Sequence, residues 1–342
     1  MTSARRQLPQ EWLTTMDLPL ICAPMFLVSN VAMLIAASAN GIIGAMPSGN
    51  ARTAHILDLW LQELTTRIEA KLGNGRRAAP WALNLVVHSS NRRLPDDLAL
   101  CAKYRAPLVI TALGSPRSVV DVVHGYGGIV FADVSSIAHA HKAVAAGVDG
   151  LVLVCSGAGG HTGQIAAPAF VAAVRAFWGG LVVVAGGMTD GRAVRAMQTM
   201  GADLAYMGTR FIASRESSAL DAYKRAVVTS SYTDIICTDA ITGAWANMLV
   251  PSLTASGLDP DRLRPHGRFD LSNAENDSKP WRDLWSAGHG VGAVAAIEGM
   301  TEIIDRLKRE YAAAIEAERA DPWAAKYHPN AGCLGSGTAG WI

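Results

Sequence analysis

The sequence predicts an α/β protein, a (β/α)8 barrel that carries a C-terminal, mainly helical lid or cap. Three observations carry this reading. Short Val-, Ile- and Leu-rich runs alternate with helix-period stretches through residues 18–228, as strands covered on both faces by crossover helices do. The alternation repeats eight times, the number that closes a barrel. After residue 228 the rhythm stops, and Gly243, Pro251, Gly257 and Pro260 break the chain. A doubly wound open sheet is the alternative, but no dinucleotide fingerprint follows the first strand. The predicted division is a barrel over 1–228 and a lid or cap with a final helix, packed on the barrel, over 229–342.

The first strand, 18–23, is stopped by Pro24, and Asn30 is placed to cap a helix over 31–39. Residues 42–46 form the second strand. In the helix that follows, Ile56, Leu57, Trp60, Leu64, Ile68 and Leu72 recur at spacings of three and four, which makes one apolar stripe. Strand three, 81–87, precedes a helix over 95–103, and strand four is 107–113. Pro116 sits where a first helical turn tolerates proline and opens a helix to His124. Strand five (129–134) leads to a helix over 136–146, and strand six (151–155) runs through a glycine loop to a helix over 168–177. Strand seven is 181–185, and its helix, 191–200, has Thr189 or Asp190 as N-cap. Strand eight, 204–207, is followed by a helix over 217–228. Beyond it, 232–267 is mixed and 268–285 is polar and irregular. Ile303, Ile304, Leu307, Tyr311, Ala314 and Ile315 then draw one more helical stripe, and a glycine-rich tail, 333–342, ends in Trp341 and Ile342.

With 342 residues, half of them hydrophobic and 17% charged, the chain is globular and buries a large core. Thirty basic against 29 acidic residues leave a net charge of +1, which argues against a nucleic-acid partner. Five widely spaced cysteines without a C-x-x-C suggest neither a disulfide framework nor a zinc site. The N-terminus lacks an apolar run of signal length and no stretch reads as transmembrane, so the expectation is a reduced, cytoplasmic protein without a membrane partner.

The chemistry gathers at strand ends. Residues 152–163 read V-L-V-C-S-G-A-G-G-H-T-G: a buried strand running into Gly157, Gly159, Gly160 and Gly163, with one imidazole, His161, among them. Barrel enzymes present catalytic residues in this way. Strand seven ends in Gly186 and Gly187, and strand eight in Gly208 and Thr209. Loops at these two places commonly hold a phosphate through backbone N–H groups and helix N-termini, with no lysine required. Arg210, one step past a strand end, could aid the phosphate, but an arginine so placed is more often an outer ion-pair partner. Asn84, late in an apolar strand, needs a partner if buried. Asp133 ends strand five, where an N-cap role for the next helix is one reading. His88 is a weaker candidate to line the pocket. His139 and His141, two apart on one helix, face different ways, and no metal is expected.

The G-G-H-x-G loop of Gly159, Gly160, His161 and Gly163, with the A-P-M of Ala23, Pro24 and Met25, resembles the nitronate monooxygenase (2-nitropropane dioxygenase) family. Flavin-dependent enoyl-thioester reductases have a similar loop. The resemblance covers 18–228 and a C-terminal echo, W-x-x-L-W-S-A-G-H-G over 281–290, with His289 where members often have Gln. It implies a TIM barrel that binds FMN. The phosphate would lie on Gly186, Gly187, Gly208 and Thr209, and the ring edge along Ala23, Pro24 and Met25. Asn84 would hydrogen-bond the flavin, Gly159 and Gly160 would border it, and Asp133 would stand where part of the family carries a lysine near it. His161 would be the catalytic base. The implied reaction is oxidation of alkyl nitronates, and of nitroalkanes if His161 takes their α-proton, by O2 to a carbonyl compound and nitrite, without NAD(P)H. The expected partners are this small substrate and O2, with a homo-oligomer compatible. The alternatives are an NAD(P)H-dependent flavin enoyl-thioester reductase, a flavin-free phosphate-binding barrel isomerase or lyase, and a non-catalytic ligand binder.

Overall fold

Eight parallel strands close on themselves in a computed structural model that describes residues 7–72, 77–264, 280–323 and 326. In chain order the strands are β1 (Leu20–Cys22), β2 (Ile43–Pro47), β3 (Trp81–Val86), β4 (Leu108–Ala112), β5 (Ile129–Val134), β6 (Gly150–Val154), β7 (Gly160–His161), β8 (Leu181–Ala185), β9 (Leu204–Met207), β10 (Ile235–Thr238) and β11 (Ala246–Leu249). The barrel order is β1-β2-β3-β4-β5-β6-β8-β9, with β1 pairing β9 to close it. The strand sequences do not alternate in polarity because both faces are buried. Inward go Ile21, Ala45, Ala82, Ile110, Phe131, Val152, Val183 and Leu204, which fill the barrel. Outward go Leu83, Val109, Val130, Leu151, Leu153, Val182 and Val184, against the helices.

The capping residues sit where the sequence placed them. Asn30 accepts from the Met33 N–H, and Asp190 from the Ala193 N–H at 2.8 Å. Each bond satisfies an orphan helix donor and stabilises by about 1 kcal/mol. The helix Ile137–Ala145 is capped by Ser136, which accepts from the His139 N–H, so Asp133 does not have that task. After β9 the chain first makes a short helix, Thr209–Ile212, and the longer helix starts only at Asp221.

The residues beyond β9 do two separate things. The last helix, Met300–Arg319, buries Met300, Ile303, Ile304 and Leu307 with Met33, Ala37, Val194 and Phe211, on the outer wall. The rest reaches the barrel mouth. There β10 and β11 form an antiparallel pair, and β11 adds the two-residue β7 on its other edge, with Ala246 opposite His161 and Asn247 opposite Gly160. The sequence read this stretch only as mixed. Its polar expectation for 268–285 falls mostly, and its tail at 333–342 wholly, outside the described residues. No helix among the described residues is long and apolar enough to cross a membrane.

Candidate active site

A cavity of about 1250 Å³ opens at the carboxyl ends of the barrel strands. The twelve residues expected to form the catalytic and FMN sites all line it: Ala23, Pro24, Met25, Asn84, Asp133, Gly159, Gly160, His161, Gly186, Gly187, Gly208 and Thr209. Strand parity explains the floor. Asn84, Asp133 and Tyr206 lie two residues beyond the inward Ala82, Phe131 and Leu204, so these three inward rows end in a polar group. Asn84 is buried, and its Nδ2 donates to the Ile110 carbonyl at 3.1 Å. Tyr206 escaped the sequence reading because an aromatic in the run L-A-Y-M looks like core. The parity it shares with Leu204 was the available signal.

His161 stands on β7, held to the mouth segment. Its Nε2 lies 3.2 Å from Thr242 Oγ1, and that hydroxyl donates to the Ala244 carbonyl at 3.1 Å. With the hydroxyl proton so directed, an Oγ1 lone pair faces Nε2, which suits the tautomer that carries its proton there. Burial pushes the imidazole down to about 4, so the ring is neutral at physiological pH.

Three backbones meet beneath this histidine. The Gly187 N–H and the His289 N–H both donate to the Gly157 carbonyl, at 3.2 and 3.0 Å. A Cβ on Gly159 would lie 2.6 Å from the Gly288 nitrogen, which is why that position has no side chain. Asn247, on β11, clamps the same loop. Its Nδ2 donates to the carbonyls of Ser156 at 2.9 Å and Ala158 at 2.7 Å. A second clamp, Asn50, holds the A-P-M loop. Its Nδ2 donates to the carbonyls of Met25 and Ser29, its Oδ1 accepts from the Leu27 N–H, and Leu27 sits at φ 59°. Neither asparagine was visible in the sequence, because each acts on a loop distant along the chain.

The glycine cradle divides by role. Gly187 has φ +72°, and a Cβ built on it meets no atom within 4 Å. Its amide serves Gly157, so what it gives a ligand is room. Gly208 and Thr209 begin the short helix, whose first-turn N–H groups suit an anion. Thr209 Oγ1 accepts from the Gly288 N–H at 2.9 Å, which leaves its own proton to donate. Arg210 turns away to the Ala293 carbonyl and Glu298, the outer pairing expected of it. His88 bonds Ser90 and is not among the cavity's lining residues.

At the floor, Asp133 Oδ1 and the Tyr206 hydroxyl are buried without a hydrogen-bond partner among the described residues. Burial pushes the Asp133 carboxyl up to about 7. It raises the Tyr206 phenol as well, with Asp133 and then Cys22 adding to that rise.

A closed parallel barrel whose strand ends open on one large cavity, with glycine loops after its last two strands, is the architecture of a barrel enzyme. The sequence profile of the nitronate monooxygenase family matches residues 10–260, and the chain belongs to this family of flavin-dependent oxidoreductases. A nitronate monooxygenase of Paraburkholderia phytofirmans is 28% identical, over 93% of this chain and 98% of its own. Among solved structures, FabK from Thermotoga maritima superposes with a TM-score of 0.73 at 24% identity, over 90% of this chain and 97% of that one. The nitroalkane oxidase from Streptomyces ansochromogenes gives 0.72 at 24%, over 90% and 99%. At such identity the two structures speak for the fold.

Proposed function

We propose that the protein is an FMN-dependent nitronate monooxygenase, which oxidises alkyl nitronates with O2 to a carbonyl compound and nitrite. The observation that carries this is one cavity, lined by the glycine cradle, the A-P-M loop and a neutral His161, in a chain of this family. The residues fit the flavin. Gly187 leaves open space where a side chain would stand, and the floor offers polar atoms with no partner among the described residues. When bound, FMN supplies the electron acceptor that no side chain can provide.

The remaining work is the chain's own. Gly208, Thr209 and the short helix would hold the phosphate, Gly187 would give it room, Gly186 lets the turn pass close to the 155–158 backbone, and Asn84 would hydrogen-bond the ring. The clamps at Asn50 and Asn247 fix the loops on either side. His161 is unprotonated across neutral pH, so it can accept an α-proton, but as a weak base. A preformed nitronate needs no such step, and this favours nitronates over nitroalkanes.

A second reading, the NAD(P)H-dependent enoyl-thioester reductase, draws support from the cavity's reach. It runs out past Arg117, His139 and Lys142, farther than a small nitronate requires and suited to a substrate with a phosphate-bearing tail. One experiment separates the two. The purified protein is loaded with FMN, and ethyl nitronate or NADPH is added without oxygen. Bleaching by the nitronate, with nitrite formed once air is admitted, is the expected result. Bleaching by NADPH alone would favour the reductase. A protein that takes up no FMN would overturn both.

A further inference from the structure

Two buried oxygens on the floor of the cavity, Oδ1 of Asp133 and the hydroxyl of Tyr206, have no hydrogen-bond partner among the described residues. Asp133 ends the inward row of β5 and Tyr206 that of β9, three places apart around the barrel. Both atoms are buried, and a buried polar atom left unpaired is costly, so each calls for a partner that enters the cavity. The nearest structural explanation for Asp133, capping the next helix, is removed because Ser136 does that. We propose that Asp133 is a second catalytic group of this cavity, the acid that passes a proton to the bound group, with Tyr206 hydrogen-bonding that group from the facing wall.

The surroundings support the assignment. The inward neighbours Ile110 on β4 and Val152 and Val154 on β6 are apolar, and among the described residues no cation stands near enough to hold a carboxylate. The other titratable groups around the cavity are His161 on β7, Tyr223 on the helix Asp221–Thr229, and Arg117, His139 and Lys142 on the helices Arg117–Gly125 and Ile137–Ala145. Cys22 on β1 adds to the rise at Tyr206. Desolvation alone pushes Asp133 up to about 7 while it pushes His161 down to about 4. Two groups driven apart by their environments divide the work of acid and base. His161 is the acceptor and Asp133 the donor.

The step is a simple proton transfer. The O–H bond of the carboxylic acid breaks and its electron pair stays on the carboxylate. The proton forms a new bond to nitrogen or oxygen on the bound group as that group gains negative charge. Solvent returns the proton after release. That the bound group gains charge by accepting electrons rests on the FMN reading. The acid itself does not.

Infrared difference spectra and the midpoint potential of the bound flavin test this together. Full-length protein, with and without FMN, should show a carboxylic-acid carbonyl band that titrates near pH 7. Asp133→Asn should lose that band, and Tyr206→Phe should shift it. In the FMN-loaded protein, potential plotted against pH should change slope where the band titrates. The break should vanish in Asp133→Asn and move in Tyr206→Phe. A wild type without the band at neutral pH overturns the proposal and needs no variant. A break unchanged in Asp133→Asn also overturns it. A protein with the band that takes up no FMN would sink the flavin reading while upholding Asp133 as the cavity's acid.

Discussion

An imidazole that holds its proton less firmly than a carboxylic acid does reverses the order of these groups in water. Here burial produces the reversal at His161 and Asp133, and it leaves a mark on stability. His161 falls from 6.5 to about 4, so between those values the unfolded chain binds the extra proton and stability grows as pH rises. Asp133 rises from 3.8 to about 7, so there the folded chain binds the extra proton and stability falls as pH rises. From about pH 4 to 6.5 the two slopes oppose each other. In urea titrations Asp133→Asn should therefore gain stability with pH across this window, by at most about 1.4 kcal/mol per pH unit. His161→Asn should lose stability with pH at a similar rate, and the wild type should stay nearly flat. Equal slopes in both variants would mean that the two side chains are not buried as described. Turnover gives a second test of the histidine. In flavin-replete His161→Asn, activity on a nitroalkane should drop roughly 10²–10⁴-fold, the usual scale of general-base catalysis, while activity on a preformed nitronate is mostly kept. An equal fall on both would make His161 a positioning group.

Strands and helices show why part of the site was legible and part was not. The barrel strands, the Asn30 and Asp190 caps and the G-G-H-x-G loop announce themselves within a few residues. Strand β7 is two residues long and has no period to read, and β10 and β11 gain their meaning only by pairing with it. Asn247 acts on carbonyls 91 and 89 positions away, and no local pattern records that. Its loss should matter nonetheless. Asn247→Ala leaves two loop carbonyls without their donor, which costs about 1–3 kcal/mol. Hydrogen exchange should then quicken at 156–162 before it does in the barrel strands. The cradle glycines should separate in the same way. Gly187→Val forces a branched residue to φ +72° and fills the open space, so FMN binding should weaken by about 1–3 kcal/mol in calorimetry. At Gly208 the φ is −106° and a Cβ would rest against Met25 Sδ at 3.4 Å. Gly208→Ala should therefore bind FMN nearly as the wild type does.

The last helix works at the scale of the whole molecule. It packs between the helices Val31–Ala39 and Gly191–Thr199, from the two halves of the barrel chain. Lys308 reaches Asp17 at 2.8 Å, Arg195 reaches Glu318 at 2.8 Å, and Tyr311 bonds Gln198. The seam where β1 meets β9 is thus covered from outside. Ile304, fully buried in that cluster, should cost about 2–5 kcal/mol as Ile304→Ala in urea unfolding, with FMN affinity of the folded fraction unchanged. A weaker loss would place the helix as a passenger on the barrel.

The pairing of Ala246 with His161 carries one more consequence. By covalent connection the histidine belongs to the barrel, and by its ladder it belongs to the entrance. The 238–246 segment borders the cavity and, through this ladder, also sets where the imidazole stands, so the shape of the entrance and the aim of the base are fixed by one piece of chain. Variation in that segment would retune which molecules enter and how the imidazole is aimed in a single stroke. A foreign entrance spliced onto this barrel would bring its own aim for the base.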